Sequence, residues 1–271
     1  MATSTPTAPR PSRWDLTTRQ ADYWLTVYRR TWRGSVINSF FSPFLYLTGM
    51  GVGLGSFIDA NSGPSALDGV SYLQYVAPGL LATTAMQVAI SESTFPVLGG
   101  FKWHRTYFSM AASPLRVVDI VAGQVTFTAF RIGLTSTVFL GVLAAYGAVS
   151  SVLGGIGALL VVVLMGLAYT TPMVAISSRM KSESGFALIY RLGILPMFLF
   201  SGAFFPITQL PDAITWLAYL TPIWHGVDLA RALTLGTATW GPALGHVAYL
   251  LAWFLVGWYL AVTGFTRRLA W

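Results

Sequence analysis

Apolar residues run along this chain in long blocks broken by short clusters of charge. Counting stretches without Asp, Glu, Lys or Arg, residues 34–58 form a block of 25, 69–91 one of 23, 132–178 one of 47, 192–211 one of 20 and 232–266 one of 35. A helix that crosses a bilayer needs ~20 mostly apolar residues. The longest block has room for two crossings and turns at Tyr146-Gly147-Ala148-Val149-Ser150-Ser151, where small and polar residues permit a tight loop. The last block opens with a polar Gly/Thr/Pro entry before Ala243. The pattern predicts an all-α polytopic membrane protein with six transmembrane helices, at about 36–57, 73–98, 120–145, 152–177, 187–206 and 243–265. A seventh span over 207–235 is disfavoured by Pro206, Pro211, Asp212, Pro222, Asp228 and Arg231.

Composition agrees with a bilayer environment. Hydrophobic residues make up 55% of the 271 positions and charged residues 9%, against roughly 25% charged in a soluble domain. Cysteine is absent, which removes disulfides, thiolate metal sites and a cysteine nucleophile. The net charge is +7, but the basic residues sit between apolar runs rather than on a polar surface, which argues against nucleic acid as a partner. Arg10, Arg13, Arg19, Arg29, Arg30 and Arg33 precede the first span, Lys102, Arg105 and Arg116 follow the second, Arg179 and Lys181 follow the fourth with Arg191 just inside the fifth, and Arg267 and Arg268 follow the sixth. The opposite loops hold Asp59, Asp68, Asp212, Asp228 and a single basic residue, Arg231. The positive-inside rule then places both termini in the cytoplasm of a multi-pass plasma-membrane protein. The first span is too long for a signal-peptide core and five others follow it, so no cleaved signal is expected.

The segments between spans carry their own patterns. Residues 1–13 are Thr/Pro/Ala-rich and read as a disordered tail, whereas 14–33 place Trp24, Tyr28 and Trp32 at four-residue steps, an amphipathic interfacial helix ahead of a membrane domain at 34–271. In the basic loop 99–119, residues 102–112 read as a short surface helix, with Ser113 as N-cap and Pro114 as first residue of the third span. Residues 207–235 are unusually rich in Trp and Leu for an outer loop and suggest two short re-entrant helices before the sixth span. Gly49/Gly53 and Gly51/Gly55 form two overlapping small-residue pairs on different faces of the first span, suited to close helix packing.

Catalytic signals are missing: there is no GxxxxGK[ST], HExxH or GxSxG. His104, His225 and His246 are scattered, read as satisfied interfacial side chains rather than zinc ligands, and no catalytic, cofactor or metal residue is nominated. Two ionisable residues lie inside spans, Glu92 at ~9 Å from the inner surface and Arg131 at ~16 Å, by the rise of 1.5 Å per residue. Charges at such depth are paired or functional, so Glu92 and Arg131 are expected to form an ion pair between consecutive spans.

Several strings resemble a known family. Glu92-Ser93-Thr94-Phe95, Arg105-Thr106-Tyr107, Met110, Ser113-Pro114-Leu115, Asp119-Ile120 and Gly123-Gln124 are similar to membrane subunits of ABC-2 type ABC exporters, in particular the NodJ-like and daunorubicin-exporter-like branch. Phe200-Ser201-Gly202-Ala203-Phe204-Phe205-Pro206 with Gln209-Leu210-Pro211 resembles that family's fifth-span motif, and Leu220-Thr221-Pro222-Ile223-Trp224-His225 through Leu229-Ala230-Arg231-Ala232-Leu233 its outer-loop motif. The likeness runs from about Trp14 to the end, with one departure at Gln124, where relatives often carry Glu. It implies a bacterial permease subunit without cofactor or enzymatic activity of its own. Two ABC ATPase subunits would hold the ATP and Mg, and a second permease copy or paralogue would complete the membrane dimer. The resemblance makes 102–112 the coupling element, with Lys102, Arg105, Tyr107 and Met110 as its contact residues. It sets the fifth-span motif, with Phe200, Ser201, Phe204 and Phe205, near the dimer pathway, where the bulky Phe204 and Phe205 are expected to form a hydrophobic gate. The function implied is export of an amphipathic substrate such as a drug, lipid or lipid-linked glycan. An ATP-independent channel or ion-coupled carrier is the alternative, disfavoured by the single acidic residue within a span.

Overall fold

The computed structural model of the chain describes residues 44–62 and 69–270, together with Thr26 and Phe41. The expected N-terminal tail, the interfacial helix at 14–33 and the start of the first span lie outside the described residues. Every regular element among the described residues is helical. A π-helical stretch, Leu47–Leu54, runs into α1 (Gly55–Ser62). Next come α2 (Tyr72–Ser93), α3 (Phe95–Lys102), α4 (Thr106–Ala111), α5 (Val117–Ala145) and α6 (Val152–Arg179). After α6, α7 (Ser184–Ile189) leads through a second π-helical turn, Tyr190–Ile194, into α8 (Leu195–Leu199). Two short helices, α9 (Asp212–Tyr219) and α10 (Pro222–Leu235), precede α11 (Trp240–Leu269).

Among the described residues, four stretches are long and apolar enough to cross a membrane: Tyr72–Lys102, Val117–Ala145, Val152–Arg179 and Trp240–Leu269. Phe44–Ile58 and Ser184–Leu199 are shorter apolar helices. Helix α6 is the axis of the bundle and packs against α2, α5, α10 and α11. Small residues permit the close approach: a Cβ on Gly166 would meet Ile132, and one on Gly257 would meet Thr171 and Pro172. Thr171 also donates its hydroxyl across to the Phe254 carbonyl at 3.0 Å. Of the first-span glycines, Gly51 and Gly55 lie against Leu73 and Tyr72 of α2, while a Cβ on Gly49 would meet nothing.

The ends of the elements have local causes. Ser71 caps α2 reciprocally, its hydroxyl accepting from the Gln74 N–H while Gln74 Oε1 accepts from the Ser71 N–H at 3.2 Å. The tight turn after α5 has Gly147 at φ +72° and hands over to Ser151, whose hydroxyl caps α6 by accepting from the Gly154 N–H at 3.0 Å.

Two expectations need correcting, and a third holds with a break inside it. Helix α5 starts at Val117 rather than at Pro114, because Asp119 accepts the Arg116 N–H at 3.1 Å while the Ser113 hydroxyl is spent closing α4 onto the Met110 carbonyl at 2.6 Å. The second span, Tyr72–Lys102, covers the expected stretch but is broken within it: α2 ends at Ser93, the backbone swings at Thr94, and α3 begins with Pro96 as its second residue. The fifth apolar helix stops at Leu199, and residues 200–206 form a folded turn in which Gly202 takes φ +74°.

Candidate functional site

The break between α2 and α3 frees backbone groups, and side chains from two other helices take them up. Pro96 has no N–H, so the Glu92 carbonyl, four residues back, loses its helical partner. Gln124 of α5 donates its side-chain amide to that carbonyl at 3.1 Å. Ser177 of α6 donates to the Ser93 carbonyl at 2.7 Å. The other end of the Gln124 side chain accepts the Tyr107 hydroxyl at 3.0 Å. Two turns further along α5, Arg131 Nε lies 3.1 Å from Glu92 Oε1, both side chains about one-fifth exposed. A continuous polar chain therefore links α4 to the α2 break and on to an intramembrane ion pair.

Tyr107 sits on this chain because its ring is the centre of an aromatic cluster. Phe101 and Phe265 approach it at centroid distances of 4.7 and 5.0 Å, and the residue is buried. Arg268 spans Phe101 and donates to the Ser177, Ser178 and Met180 carbonyls, a cation seated on the C-terminal end of α6.

This changes the reading of the four residues expected to face a partner. Tyr107 points into the bundle and anchors α4 instead of lining its outer side, because burial of the ring against Phe101 and Phe265 outweighs exposure. Met110 is half-buried against the same core. Lys102 closes α3 and pairs with Glu183 at 2.8 Å, which holds the Glu183 carboxyl below its ordinary range. Arg105, at φ +52°, starts α4 and lays its guanidinium over Phe108. The exposed side of this elbow includes Lys102, Trp103, His104, Arg105 and Ser109. Trp103 was not singled out from sequence and His104 was read only as an interfacial side chain, although an indole beside basic residues in a turn is the usual chemistry of a protein contact.

At the opposite end, the turn 200–206 is tied down rather than open. The Ser201 hydroxyl is buried and donates to the Phe198 carbonyl at 2.8 Å. The Gly202 carbonyl receives Arg231 at 2.7 Å and the Tyr75 hydroxyl at 3.3 Å, with the Arg231 guanidinium 3.8 Å from the centre of the Tyr75 ring. Phe204 packs edge-on to Phe198 at 5.1 Å; Phe200 and Phe205 are also half-buried, and Phe200 lines a cavity of about 180 Å³ beside α9. Close by, His225 and His246 meet through their Nδ1 atoms at 2.8 Å, His246 reaches Asp228 at 3.3 Å, and His225 stacks on Tyr249. Desolvation, with His246 alongside, lowers the His225 pKa to about 4. No group of three or more potential metal ligands occurs among the described residues.

A larger cavity, about 460 Å³, lies between α2 and the stretch from α7 to the second π-helical turn. Its walls include Ile90, Phe95, Met173, Phe186 and Ile194, and its polar margin includes Gln87, Ser91 and Arg191.

Comparison with known proteins bears on what these features serve. The family model described as ABC-2 type transporter matches residues 22–235. Nodulation protein J of Rhizobium leguminosarum bv. viciae is 32% identical over 253 residues, covering 91% of this chain and 95% of that protein. The protein of the same name from Rhizobium meliloti is 29% identical, covering 91% and 94%. The inner membrane transport permease YadH of Escherichia coli is 22% identical over 243 residues, covering 88% and 91%.

Proposed function

From the premise that the chain belongs to the ABC-2 type transporter family and is a multi-pass membrane transport subunit, we propose that it is the permease of an ATP-driven exporter of amphipathic molecules. Two ABC ATPase subunits dock on the end that carries Lys102, Arg179 and Arg268, which is the cytoplasmic end by the positive-inside rule. A second permease, identical or paralogous, completes the unit. Six crossings follow when Phe44–Ile58 and Ser184–Leu199 are counted with the four long helices, and α9 and α10 then dip back into the outer leaflet. Both termini face the cytoplasm of a bacterial plasma membrane.

The observation that carries this reading is the elbow at α4. Its exposed side offers Trp103, His104 and Arg105 to a partner, while its buried side is bonded through Tyr107 and Gln124 to the break in α2. A displacement of α4 by a nucleotide-driven partner is thus transmitted to a helix that flanks the larger cavity. The Phe204–Phe198 contact and Phe205 at the opposite end close the route by hydrophobic contact.

Affinity purification of the chain from its native membrane is the test. An ATPase subunit retained by the wild type and lost on Trp103→Ala with Arg105→Ala supports the reading. A chain that purifies without any ATPase and still moves solutes would make it an ATP-independent channel or carrier.

A further inference from the structure

The 460 Å³ cavity has features that the export reading alone does not explain. Its volume lies within the ~300–1,000 Å³ usual for small-molecule sites. The surface is segregated. Ile90, Met173, Phe186 and Ile194 form an apolar wall, whereas the exposed Gln87 and Ser91, one turn apart on α2, and the exposed Arg191 supply its polar lining. The Gln87 side chain and the Arg191 guanidinium have no hydrogen-bond or ion-pair partner among the described residues. Glu183, the acidic residue of the lining, is already engaged by Lys102 at 2.8 Å.

The Arg191 guanidinium stands alone in an apolar setting. Arg191 is the only ionisable residue of the apolar stretch Ser184–Leu199 apart from Tyr190, and Leu188, Leu192 and Leu195 around it are exposed as lipid-facing side chains would be. The backbone departs from α-helix at the same place, in the π-helical turn Tyr190–Ile194. Such turns are rare and recur at functional sites. A large cavity, an unpartnered cation and an irregular backbone coincide at one position.

We propose that this cavity binds an amphiphile with an aliphatic chain and an anionic group, Arg191 and Gln87 holding the anion and the Ile90–Met173–Ile194 wall holding the chain. The proposal rests on the export reading, since the occupant is the transported molecule, taken from the cytoplasmic leaflet before it is moved. The charge selection is made by Arg191: a guanidinium favours carboxylate, sulfate or phosphate oxygens and repels cationic amphiphiles.

The test uses the full chain in nanodiscs of zwitterionic phosphatidylcholine and three probes of equal chain length: tetradecyl phosphate, tetradecylphosphocholine and tetradecyltrimethylammonium. Tetradecyl phosphate should bind at least about tenfold more tightly than the other two. Arg191→Gln should erase that preference, and Arg191→Lys should keep most of it. Ala187→Trp, which fills the cavity from an exposed lining position, should abolish binding of all three. Equal affinity for the three probes, or an undiminished preference in Arg191→Gln, would overturn the proposal. Addition of tetradecyl phosphate to the complex with its ATPase should stimulate ATP hydrolysis. Binding without stimulation would mark a resident lipid site and overturn the transported occupant. Failure of binding leaves ATP-driven export of other amphiphiles standing, whereas failure to find an ATPase strikes the export reading and leaves the binding result intact.

Discussion

Replacing Gln124 by Leu keeps the volume near Gln124 and removes both ends of its amide. The Glu92 carbonyl at 3.1 Å, already without its helical partner because of Pro96, is stranded, and the buried Tyr107 hydroxyl loses its 3.0 Å bond to the amide. An unsatisfied buried group costs about 1–3 kcal/mol and a lost hydrogen bond about 0.5–1.5 kcal/mol, so Gln124→Leu should destabilise the bundle by about 1.5–4.5 kcal/mol. Tyr107→Phe removes the hydroxyl and strands only Gln124 Oε1, for about 1–3 kcal/mol. The double variant leaves the Glu92 carbonyl alone unsatisfied. It should therefore be less damaged than the sum of the single variants by at least about 1 kcal/mol. Unfolding in mixed micelles by titration with dodecyl sulfate, followed by tryptophan fluorescence, gives the three differences. Costs that add to within about 0.5 kcal/mol would mean that Tyr107 and Gln124 are not coupled, and the link from α4 to α2 would fall with them.

Removing one member of a buried ion pair can cost up to about 3–5 kcal/mol, so Glu92→Gln and Arg131→Gln should each lower stability by breaking the 3.1 Å pair, the double variant costing less than their sum in the same titration. A Cβ on Gly79 would come within 2.6 Å of Ala203 Cα, so Gly79→Val should lower the unfolding temperature and loosen the 200–206 turn, read as increased cleavage there by protease. His225 lies on α10, outside the long apolar helices, facing His246, Asp228, the Tyr219 carbonyl and Tyr249, and its folded pKa of about 4 is below the ordinary 6.5. The unfolded chain then binds the proton first: stability is complete above pH 6.5 and falls as the pH drops from 6.5 towards about 4. His225→Gln should flatten that slope in thermal melts.

The helical blocks were legible because apolar run length is a strong signal. The turn at Gly147–Ser151 shows the same, its small residues supplying a positive φ and an N-cap where expected. Pro96 was also visible, yet its consequence was not, since a proline near a helix end is equally compatible with a straight span. Only the positions of Gln124 and Ser177, 28 and 81 residues further on, make the break tolerable. Pairing of Glu92 with Arg131 could be anticipated because two charges in adjacent apolar segments have few alternatives. Tyr107 misled for the opposite reason: an aromatic among Lys, His and Arg reads as surface, and its burial depends on Phe265 from the far end of the chain. Arg191 was countable as a charge, but the π-helical turn and the cavity beside it leave no trace in residue periodicity.

Reconstitution measures the central claim most directly. Proteoliposomes containing the chain, its second permease where that is a paralogue, and the co-purifying ATPase would be loaded with fluorescent anionic, neutral and cationic amphiphiles. The account predicts translocation of at least one of them that requires ATP and the ATPase and is lost in Trp103→Ala with Arg105→Ala. Translocation at the same rate without ATP or without the ATPase would contradict it.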